Sequence, residues 1–466
     1  MSQEHFDLLV IGSGPAGQKG AINAAKLGKR VAIADGALVL GGTCLHTGTI
    51  PSKSLREAVL YLSGYRQKAF YGKSYAVQRR VTFRDLSLRV SEVVDRELDV
   101  VRDQLARNRV EILDGHATFV DPNTVEIKRD NGISIRASAD GILIACGARP
   151  AHSPTVPVDG RRIFDSDQFV SESRGDQEVV RSLIVVGAGV IGLEYAAMAT
   201  ALGADVTIID GRRDVLEFVD REILEALFYN LRENNATLRF GEKVVSVGID
   251  DRDRVSAQLE SGKKVAADTL LFTVGRQANG DRLGLEAAGV EVDKRGRIQV
   301  DENFQTTASH IYAAGDVIGF PALASTSMEQ GRIASCHMFG VPFKHTPELF
   351  PYGIYTLPEI SMVGKTEEQL TDAKIPYEVG MARFSELARG QMIGDRTGRL
   401  KILFDPDSLK LLGVHIIGDG AAELVHIGQT VMYFGGTIEF LRDAVFNYPT
   451  LAEGYKVAAF DGLNKL

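Results

Sequence analysis

The sequence is poor in the features that mark several classes of protein. It has three cysteines, an odd number, at the widely separated positions Cys44, Cys146 and Cys336, so no disulfide framework is indicated. No stretch reaches about 18 uninterrupted apolar residues, and we predict no transmembrane helix. The short apolar run Leu8–Ile11 follows acidic residues and has no basic region before it, which favours a buried strand over a signal peptide.

Charge and histidine spacing exclude further classes. The net charge is −8, so the chain offers no basic surface for nucleic acid. The histidines show no metal-ligand spacing, and we predict no metal site. With 44% hydrophobic and 24% charged residues the composition is that of a globular protein, and the length allows about three domains. We expect a reduced, cytoplasmic protein without membrane or nucleic-acid partners.

A dinucleotide-binding fingerprint stands near the N-terminus. A strand-like run leads into the six residues Gly12–Gly17, then into an alanine-rich helix and a second strand that ends at Asp35. The separation of Gly17 from Asp35 is close to the ~20 residues expected for this motif. The glycines let the backbone approach a pyrophosphate, the helix N-terminus favours negative charge, and the acid accepts from a ribose hydroxyl.

The same fingerprint occurs a second time. A strand-like run precedes the six residues Gly187–Gly192, and a helix and a strand ending at Asp210 follow. Asp210 favours the free 2′-hydroxyl of NAD, whereas Arg212 and Arg213 offer guanidinium groups to the 2′-phosphate of NADP. A site for both nucleotides and a NAD site with two solvated arginines both fit this pattern. The two fingerprints together predict two bound dinucleotides.

The segment Gly41–Lys53 reads G-G-T-C-L-H-T-G-T-I-P-S-K. It resembles the flavin-facing redox segment of the pyridine nucleotide-disulfide reductases, in which a second cysteine follows the first after four residues. Here Thr49 stands at that place, and a threonine hydroxyl has no thiol redox chemistry. Cys44 is then either a thiolate beside a flavin or an inert remnant, and we favour the remnant.

Other segments extend the resemblance over essentially the full chain. Cys146–Pro150 is similar to the family's A-T-G-x-R-P segment, Thr306–Asp316 to its second flavin signature, and Asn447–Glu453 to the H-P-T-x-x-E segment that reaches the partner subunit's active site. Tyr448 replaces the histidine of that segment, and a tyrosine, with a reference pKa of about 10, is a poor base at neutral pH. The two losses together indicate a substrate that is neither a thiol nor a disulfide.

The resemblance implies an α/β fold with two Rossmann-like dinucleotide-binding domains, for FAD and for NAD(P), and a C-terminal α+β dimerisation domain. The expected boundaries are residues 1–150 and 276–345 for the two parts of the FAD domain, 151–275 for the NAD(P) domain and 346–466 for the dimerisation domain. A polar link is expected near Ser171–Gln177, and apolar spacing predicts an amphipathic helix over Asp85–Arg109. A homodimer, or a larger oligomer, is implied.

Fingerprints and resemblance together imply the site residues. Lys53 and Glu194 match the catalytic pair beside the flavin, where a cation stabilises negative charge and the glutamate orients it. The implied FAD residues are Gly12, Gly14, Pro15, Ala16, Gly17, Asp35, Gly42, Thr43, Cys44, Thr49, Lys53, Ala117, Gly147, Asp316, Leu323 and Ala324. The implied NAD(P) residues are Gly187, Gly189, Val190, Ile191, Gly192, Glu194, Asp210, Arg212 and Gly275.

The implied activity is hydride transfer between NADPH and NAD⁺ through FAD, by a ping-pong mechanism at one nicotinamide site, as in the soluble transhydrogenase branch of the family. Proximity of the two rings would supply most of the catalysis. An NAD(P)H:quinone or dye reductase shares the reductive half of this reaction and stays open as the alternative. A flavoprotein scaffold without turnover is a weaker one.

Overall fold

The computed structural model describes residues 3–36, 40–71, 81–169, 181–344 and 349–466. The link predicted near Ser171–Gln177 lies outside these residues. Among the helices described, none combines the length and the apolar character that a membrane crossing requires.

The N-terminal part of the chain builds a sheet with helices on it. Its elements are β1 (Gln3–Ile11), α1 (Pro15–Lys26), β2 (Val31–Asp35), α2 (Gly42–His46), α3 (Thr49–Ser63), α4 (Tyr65–Tyr71), α5 (Phe83–Arg107), β3 (Glu111–Asp114), β4 (His116–Asp121), β5 (Thr124–Lys128), β6 (Ser134–Ile144) and β7 (Ala148–Pro150). The strand order is β3-β2-β1-β6-β5-β4, parallel from β3 to β6 and antiparallel from β6 to β4. The apolar residues of β1 are buried because both faces of the parallel sheet are covered.

The second unit repeats this plan with fewer strands. Its elements are β8 (Ile163–Asp165), α6 (Ser166–Phe169), β9 (Ser182–Val186), α7 (Val190–Ala201), β10 (Asp205–Asp210), α8 (Arg221–Glu233), β11 (Ala236–Phe240), β12 (Val244–Ile249), β13 (Val255–Leu259), β14 (Lys264–Ala267) and β15 (Thr269–Phe272). The order β11-β10-β9-β15-β8 is parallel throughout. Strands β12, β13 and β14 form a separate antiparallel sheet.

After the second unit the chain returns to the first sheet. The next elements are β16 (Arg276–Ala278), β17 (Ile311–Ala313) and α9 (Ala324–Met338). Strand β16 pairs with β7, and β17 adds a seventh strand beside β6. Helix α9 packs so closely on α1 that a Cβ on Gly331 would lie 2.0 Å from the carbonyl oxygen of Ala16. The absence of a side chain at Gly331 allows this contact.

The C-terminal part is an antiparallel sheet flanked by helices. Its elements are β18 (Tyr352–Ile354), β19 (Ile360–Gly364), α10 (Glu367–Asp372), β20 (Glu378–Arg383), α11 (Ala388–Ile393), β21 (Arg399–Phe404), β22 (Leu411–Ile417), α12 (Ala421–Tyr433), α13 (Ile438–Asp443) and α14 (Glu453–Leu463). The strand order is β18-β19-β22-β21-β20. The expected α/β fold with a C-terminal α+β domain is confirmed.

A buried charge cluster joins the second unit to the C-terminal part. The Lys401 side chain on β21 is 0% exposed, and its ammonium contacts Asp220 at 3.0 Å and Glu222 at 3.2 Å, both at the start of α8, and also Glu367. Burial opposes the charge of Lys401, but the carboxylates of Glu367 and Asp220 outweigh it and raise its pKa. The cluster holds the end of the loop after β10 against the C-terminal sheet.

Candidate active site and nucleotide cradles

The first fingerprint forms a tight turn between β1 and α1. Gly12 has φ +102°, and a Cβ there would lie 2.4 Å from the carbonyl oxygen of Ala145, so only glycine fits. A Cβ on Gly17 would lie 1.9 Å from the Gly12 oxygen, which brings the helix against the loop. At Gly14 a Cβ would meet nothing within 4 Å. The space beside Gly14, at the N-terminus of α1, can therefore take a phosphate.

Asp35 closes this cradle at the end of β2. Its carboxylate accepts hydrogen bonds from the backbone N–H and the hydroxyl of Ser13, both at 2.6 Å, and from the Gly36 N–H at 2.8 Å. These donors are all neutral. The acid lies beside the glycine loop, where a ribose hydroxyl would be a further partner.

The second fingerprint repeats the turn between β9 and α7. Gly187 has φ +108°, and a Cβ there would lie 2.9 Å from the carbonyl oxygen of Thr273. A Cβ on Gly192 would lie 2.0 Å from the Gly187 oxygen, whereas a Cβ on Gly189 would meet nothing within 4 Å. The second cradle is thus open at the same place as the first.

The acid of the second cradle has a charged partner. Asp210 accepts from the Ala188 N–H at 2.8 Å, as expected from its place beside the loop. It also accepts from the Arg212 backbone N–H at 2.9 Å, from Nε at 3.0 Å and from Nη2 at 2.8 Å. Burial opposes ionisation of Asp210, but the hydrogen bonds from Arg212 and Ala188 outweigh it and lower its pKa. Arg212 therefore balances the charge of the acid.

Asp316 lies where strand β17 ends, at the junction of the first and second units. Burial raises the pKa of its carboxyl, and the Arg276 guanidinium, with Nε 3.9 Å from the carboxylate, opposes that shift. No hydrogen bond to this carboxylate comes from the part of the chain described, and the buried Nε of Arg276 has no hydrogen-bond partner there. A half-buried acid without a donor fits the hydroxyl groups of a bound FAD ribitol chain.

The other predicted residues are spread over several elements. Those predicted for FAD lie in the first turn of α1 (Pro15, Ala16), in α2 (Gly42, Thr43), at a buried position of β4 (Ala117), before β7 (Gly147), and at the N-cap and first residue of α9 (Leu323, Ala324). Those predicted for NAD(P) open α7 (Val190, Ile191) or precede β16 (Gly275). A Cβ on Gly42 would lie 3.1 Å from the Gly14 Cα, so the redox segment touches the first cradle.

All three cysteines are free thiols. Burial raises the pKa of Cys44, and the hydrogen bond with Thr49, which lowers it, does not compensate. Burial also raises the pKa of Cys146, to about 12, and Cys336 is buried in α9. The thiol of Cys44 is thus protonated at neutral pH and has no sulfur partner, as the sequence predicts.

Lys53 and Glu194 form an ion pair between the first two units. Lys53 is the fifth residue of α3 and Glu194 lies in α7, and Nζ is 2.8 Å from Oε2. The Glu194 side chain is 5% exposed and that of Lys53 is 28% exposed, so the carboxylate is enclosed while the ammonium is partly open. The charge of Lys53 also acts on the Cys44 thiol, as does that of Asp316. Residues far apart in sequence therefore share one site.

A third contributor to this pair has no signature in the sequence. Tyr355, between β18 and β19, donates its backbone N–H to Glu194 Oε1 at 2.8 Å, and its ring centroid lies 4.9 Å from Lys53 Nζ. The buried pair of Arg56 and Glu359, at 2.9 Å, holds the same segment to α3. A backbone donor leaves no pattern in a sequence. From the sequence alone, Arg56 resembles an ordinary solvated helix residue.

Two open dinucleotide cradles that meet at a lysine–glutamate pair define a class of oxidoreductase that binds two dinucleotides. Comparison with known families agrees. Residues 6–331 match the family described as "Pyridine nucleotide-disulphide oxidoreductase", and residues 350–459 match its dimerisation domain. The chain belongs to the pyridine nucleotide-disulphide oxidoreductase family. That family uses FAD and NAD(P), which agrees with the predicted cofactors.

Similar proteins extend over the whole chain. One from Mycobacterium bovis (strain BCG / Pasteur 1173P2) is 53% identical over 99% of this chain and 98% of its own length, and is named soluble pyridine nucleotide transhydrogenase. One from Pseudomonas aeruginosa (strain LESB58) with the same name is 44% identical over 100% of both chains.

Solved structures share the fold. The HOCl-induced flavoprotein disulfide reductase RclA from Escherichia coli is 26% identical, with a TM-score of 0.86 over 97% of this chain and 99% of that chain. LpdA from Mycobacterium tuberculosis is 25% identical, with a TM-score of 0.89 over 98% and 99%. RclA is described as a disulfide reductase, whereas the present chain has Thr49 at the place of the second cysteine.

Proposed function

We propose that this chain transfers hydride between NADPH and NAD⁺ through bound FAD, at one nicotinamide site. The observation that carries the proposal is the Lys53–Glu194 pair beside a redox segment whose single thiol is protonated and has no sulfur partner. Hydride chemistry needs the ion pair and not the thiol. Electrons then enter and leave with diffusible nucleotides, because no sulfur pair is present to relay them.

The full-length relatives support this reaction over the alternative. Proteins 53% and 44% identical to this chain carry the name soluble pyridine nucleotide transhydrogenase. Those names describe exchange between pyridine nucleotides and give no support to a quinone or dye reductase. Asp210 and Arg212 form one charge-balanced pair. The second cradle therefore suits a ribose with or without a 2′-phosphate.

FAD, when bound, supplies a two-electron carrier between the two nicotinamides. The chain's own residues would hold it. Gly14 leaves room for a pyrophosphate at the N-terminus of α1, Asp35 would accept from the adenosine ribose, and Asp316 would accept from the ribitol chain.

The ion pair would orient the charges around the reacting rings. The ammonium of Lys53 would supply positive charge that stabilises negative charge on the cofactor, and Glu194 fixes the direction of that ammonium. The transfer itself needs no general acid or base, in keeping with Tyr448 at the place of the family's histidine. The first nucleotide would leave before the second enters, because the described residues offer one cradle of the second type.

The remaining predictions belong to the same proposal. The domain boundaries at residues 150, 275 and 345 and the site residues given above are carried forward with it. We also propose a cytoplasmic homodimer. Residues 350–459 match a dimerisation domain, and apolar side chains of this part of the chain are strongly exposed, with Phe434 at 79%, Val445 at 95% and Tyr448 at 72%.

Steady-state exchange between NADPH and thio-NAD⁺ with the purified yellow protein tests the function. Parallel lines in double-reciprocal plots at several thio-NAD⁺ concentrations are the expected result of a ping-pong mechanism. Rapid NADPH oxidation with menadione, together with no thio-NAD⁺ reduction, would refute the transhydrogenase and support the quinone reductase.

A further inference from the structure

The Lys53–Glu194 pair is held by the C-terminal part of the chain as well as by its own helices. Lys53 Nζ takes one carboxylate oxygen of Glu194, Oε2, at 2.8 Å. The Tyr355 N–H donates to the other oxygen of Glu194, Oε1, also at 2.8 Å. Both oxygens of the enclosed carboxylate are therefore fixed, and its plane cannot rotate without breaking one of these bonds.

The ring of Tyr355 acts on the other member of the pair. Its centroid lies 4.9 Å from Lys53 Nζ, within the range in which an aromatic face attracts an ammonium group. Lys53 also donates to Ser52 Oγ at 3.2 Å. The ammonium is thus bounded by a carboxylate, a hydroxyl and a ring, and its remaining exposed part is free to face the cofactor site.

The segment that carries Tyr355 is itself fixed to the helix of Lys53. Arg56 lies one turn after Lys53 on α3 and donates from Nε to the Thr356 carbonyl at 3.2 Å. Its Nη2 contacts Glu359 at 2.9 Å, and both side chains are 8% exposed. Breaking a buried ion pair of this kind leaves an uncompensated buried charge, so the pair resists displacement of the segment.

We propose that Tyr355 is a positioning residue for the catalytic pair, with its backbone N–H setting the Glu194 carboxylate and its ring setting the Lys53 ammonium. Arg56 and Glu359 fix the segment that bears it. The inference deepens the proposed function, since it concerns how the same ion pair is oriented. It depends only on nucleotide oxidation by the holoenzyme, which a quinone reductase shares. If the unmodified holoenzyme oxidised NADPH but did not reduce thio-NAD⁺, the proposed function would be overturned and this inference would stand.

The test compares Tyr355→Leu with Tyr355→Phe in the FAD-loaded enzyme. The Leu variant loses the ring and is expected to slow the limiting rate of flavin reduction by NADPH about tenfold, because a small misplacement of a catalytic group is costly. The Phe variant keeps the ring and should stay within about twofold. The flavin midpoint potential should become more negative in the Leu variant alone. Tyr61→Leu, a tyrosine on α3 that is 71% exposed, is the matched control and should change nothing.

A double variant decides whether the ring acts through Lys53. In a Lys53→Ala background, Tyr355→Leu should add no further loss of rate or change in potential. An equal tenfold loss in that background, or an equal loss in Tyr355→Phe, would overturn the proposal. Tyr355→Met fills similar space without a ring and replaces the Leu variant if that one does not retain FAD.

Discussion

The two dinucleotide cradles have almost the same backbone and differ in the partner of one acid. Gly12 and Gly187 have φ of +102° and +108°, and the close contacts of Gly17 and Gly192 agree to within 0.1 Å, at 1.9 and 2.0 Å. Each is followed by a 12-residue helix and closed by an aspartate that accepts from the loop. This repetition shows that the shape of the phosphate site is set by glycines that leave no other choice.

The difference lies in charge. Asp35 is surrounded by neutral donors from Ser13 and Gly36, whereas Asp210 is paired with the guanidinium of Arg212. An unpaired carboxylate favours a ribose hydroxyl and repels a phosphate, while a neutralised one does neither strongly. This difference in charge supports the proposal that the first cradle holds a resident cofactor and the second exchanges two nucleotides that differ by a phosphate.

The largest effects should come from the glycines that the two cradles share. Gly17→Ala and Gly192→Ala each place a Cβ about 2 Å from a carbonyl oxygen. We expect Gly17→Ala to purify without FAD, and Gly192→Ala to purify yellow but without reduction by NADPH.

Absorbance of the purified proteins and stopped-flow reduction measure this difference. Gly248→Ala, at an exposed position where a Cβ meets nothing within 4 Å, is the control. Loss of FAD from Gly192→Ala would show that the two cradles are not independent.

The ion pair between the cradles should give the next effect. Lys53→Ala and Glu194→Gln should slow flavin reduction by about 100-fold, the scale of one lost electrostatic contact in an active site. FAD should stay bound, because neither residue belongs to the phosphate cradles. Rates unchanged within about twofold would remove both residues from the mechanism.

Arg212→Ala tests the charge difference between the cradles. We expect the KM for NADPH to rise about tenfold, the cost of one charged hydrogen bond, and the KM for NADH to stay within about twofold. Arg213→Ala, whose guanidinium is not among the partners of Asp210, should have a smaller effect. An equal rise for both nucleotides would mean that Arg212 supports the fold and does not discriminate.

The smallest effect is expected at Cys44. Its raised pKa keeps the thiol protonated, so Cys44→Ser should retain turnover within about twofold. Alkylation by iodoacetamide should be slow at pH 7 and should accelerate only as the pH rises above the ordinary thiol range, since the thiolate is the reactive form. Fast alkylation at pH 7, with loss of turnover, would show that Cys44 is a thiolate that takes part in turnover.

The sequence predicted the repeated parts well and the contacts between domains poorly. The fingerprints placed both cradles and both acids, because glycine geometry is local. The helix predicted over Asp85–Arg109 spans Phe83–Arg107. It begins earlier because the Thr82 hydroxyl accepts from the Asp85 N–H and the Asp85 carboxylate accepts from the Thr82 N–H. The sequence does not decide whether Arg212 is solvated or part of the site, because only the fold shows that its guanidinium donates to the Asp210 carboxylate.

Tyr355 could not be predicted at all. Its link to Glu194 is a backbone hydrogen bond across 161 positions, and no side-chain pattern marks such a contact. The Lys53–Glu194 pair, in contrast, was inferred from resemblance alone and is found at 2.8 Å.

An anaerobic reductive titration of the purified holoenzyme tests the central claim most directly. The claim is that FAD is the sole electron store, because the chain has no sulfur pair. Two electrons per FAD should then bleach the flavin absorbance completely, and one equivalent of NAD⁺ analogue should restore it. Uptake of four electrons per FAD would reveal a second two-electron couple, such as a dithiol, and contradict the account.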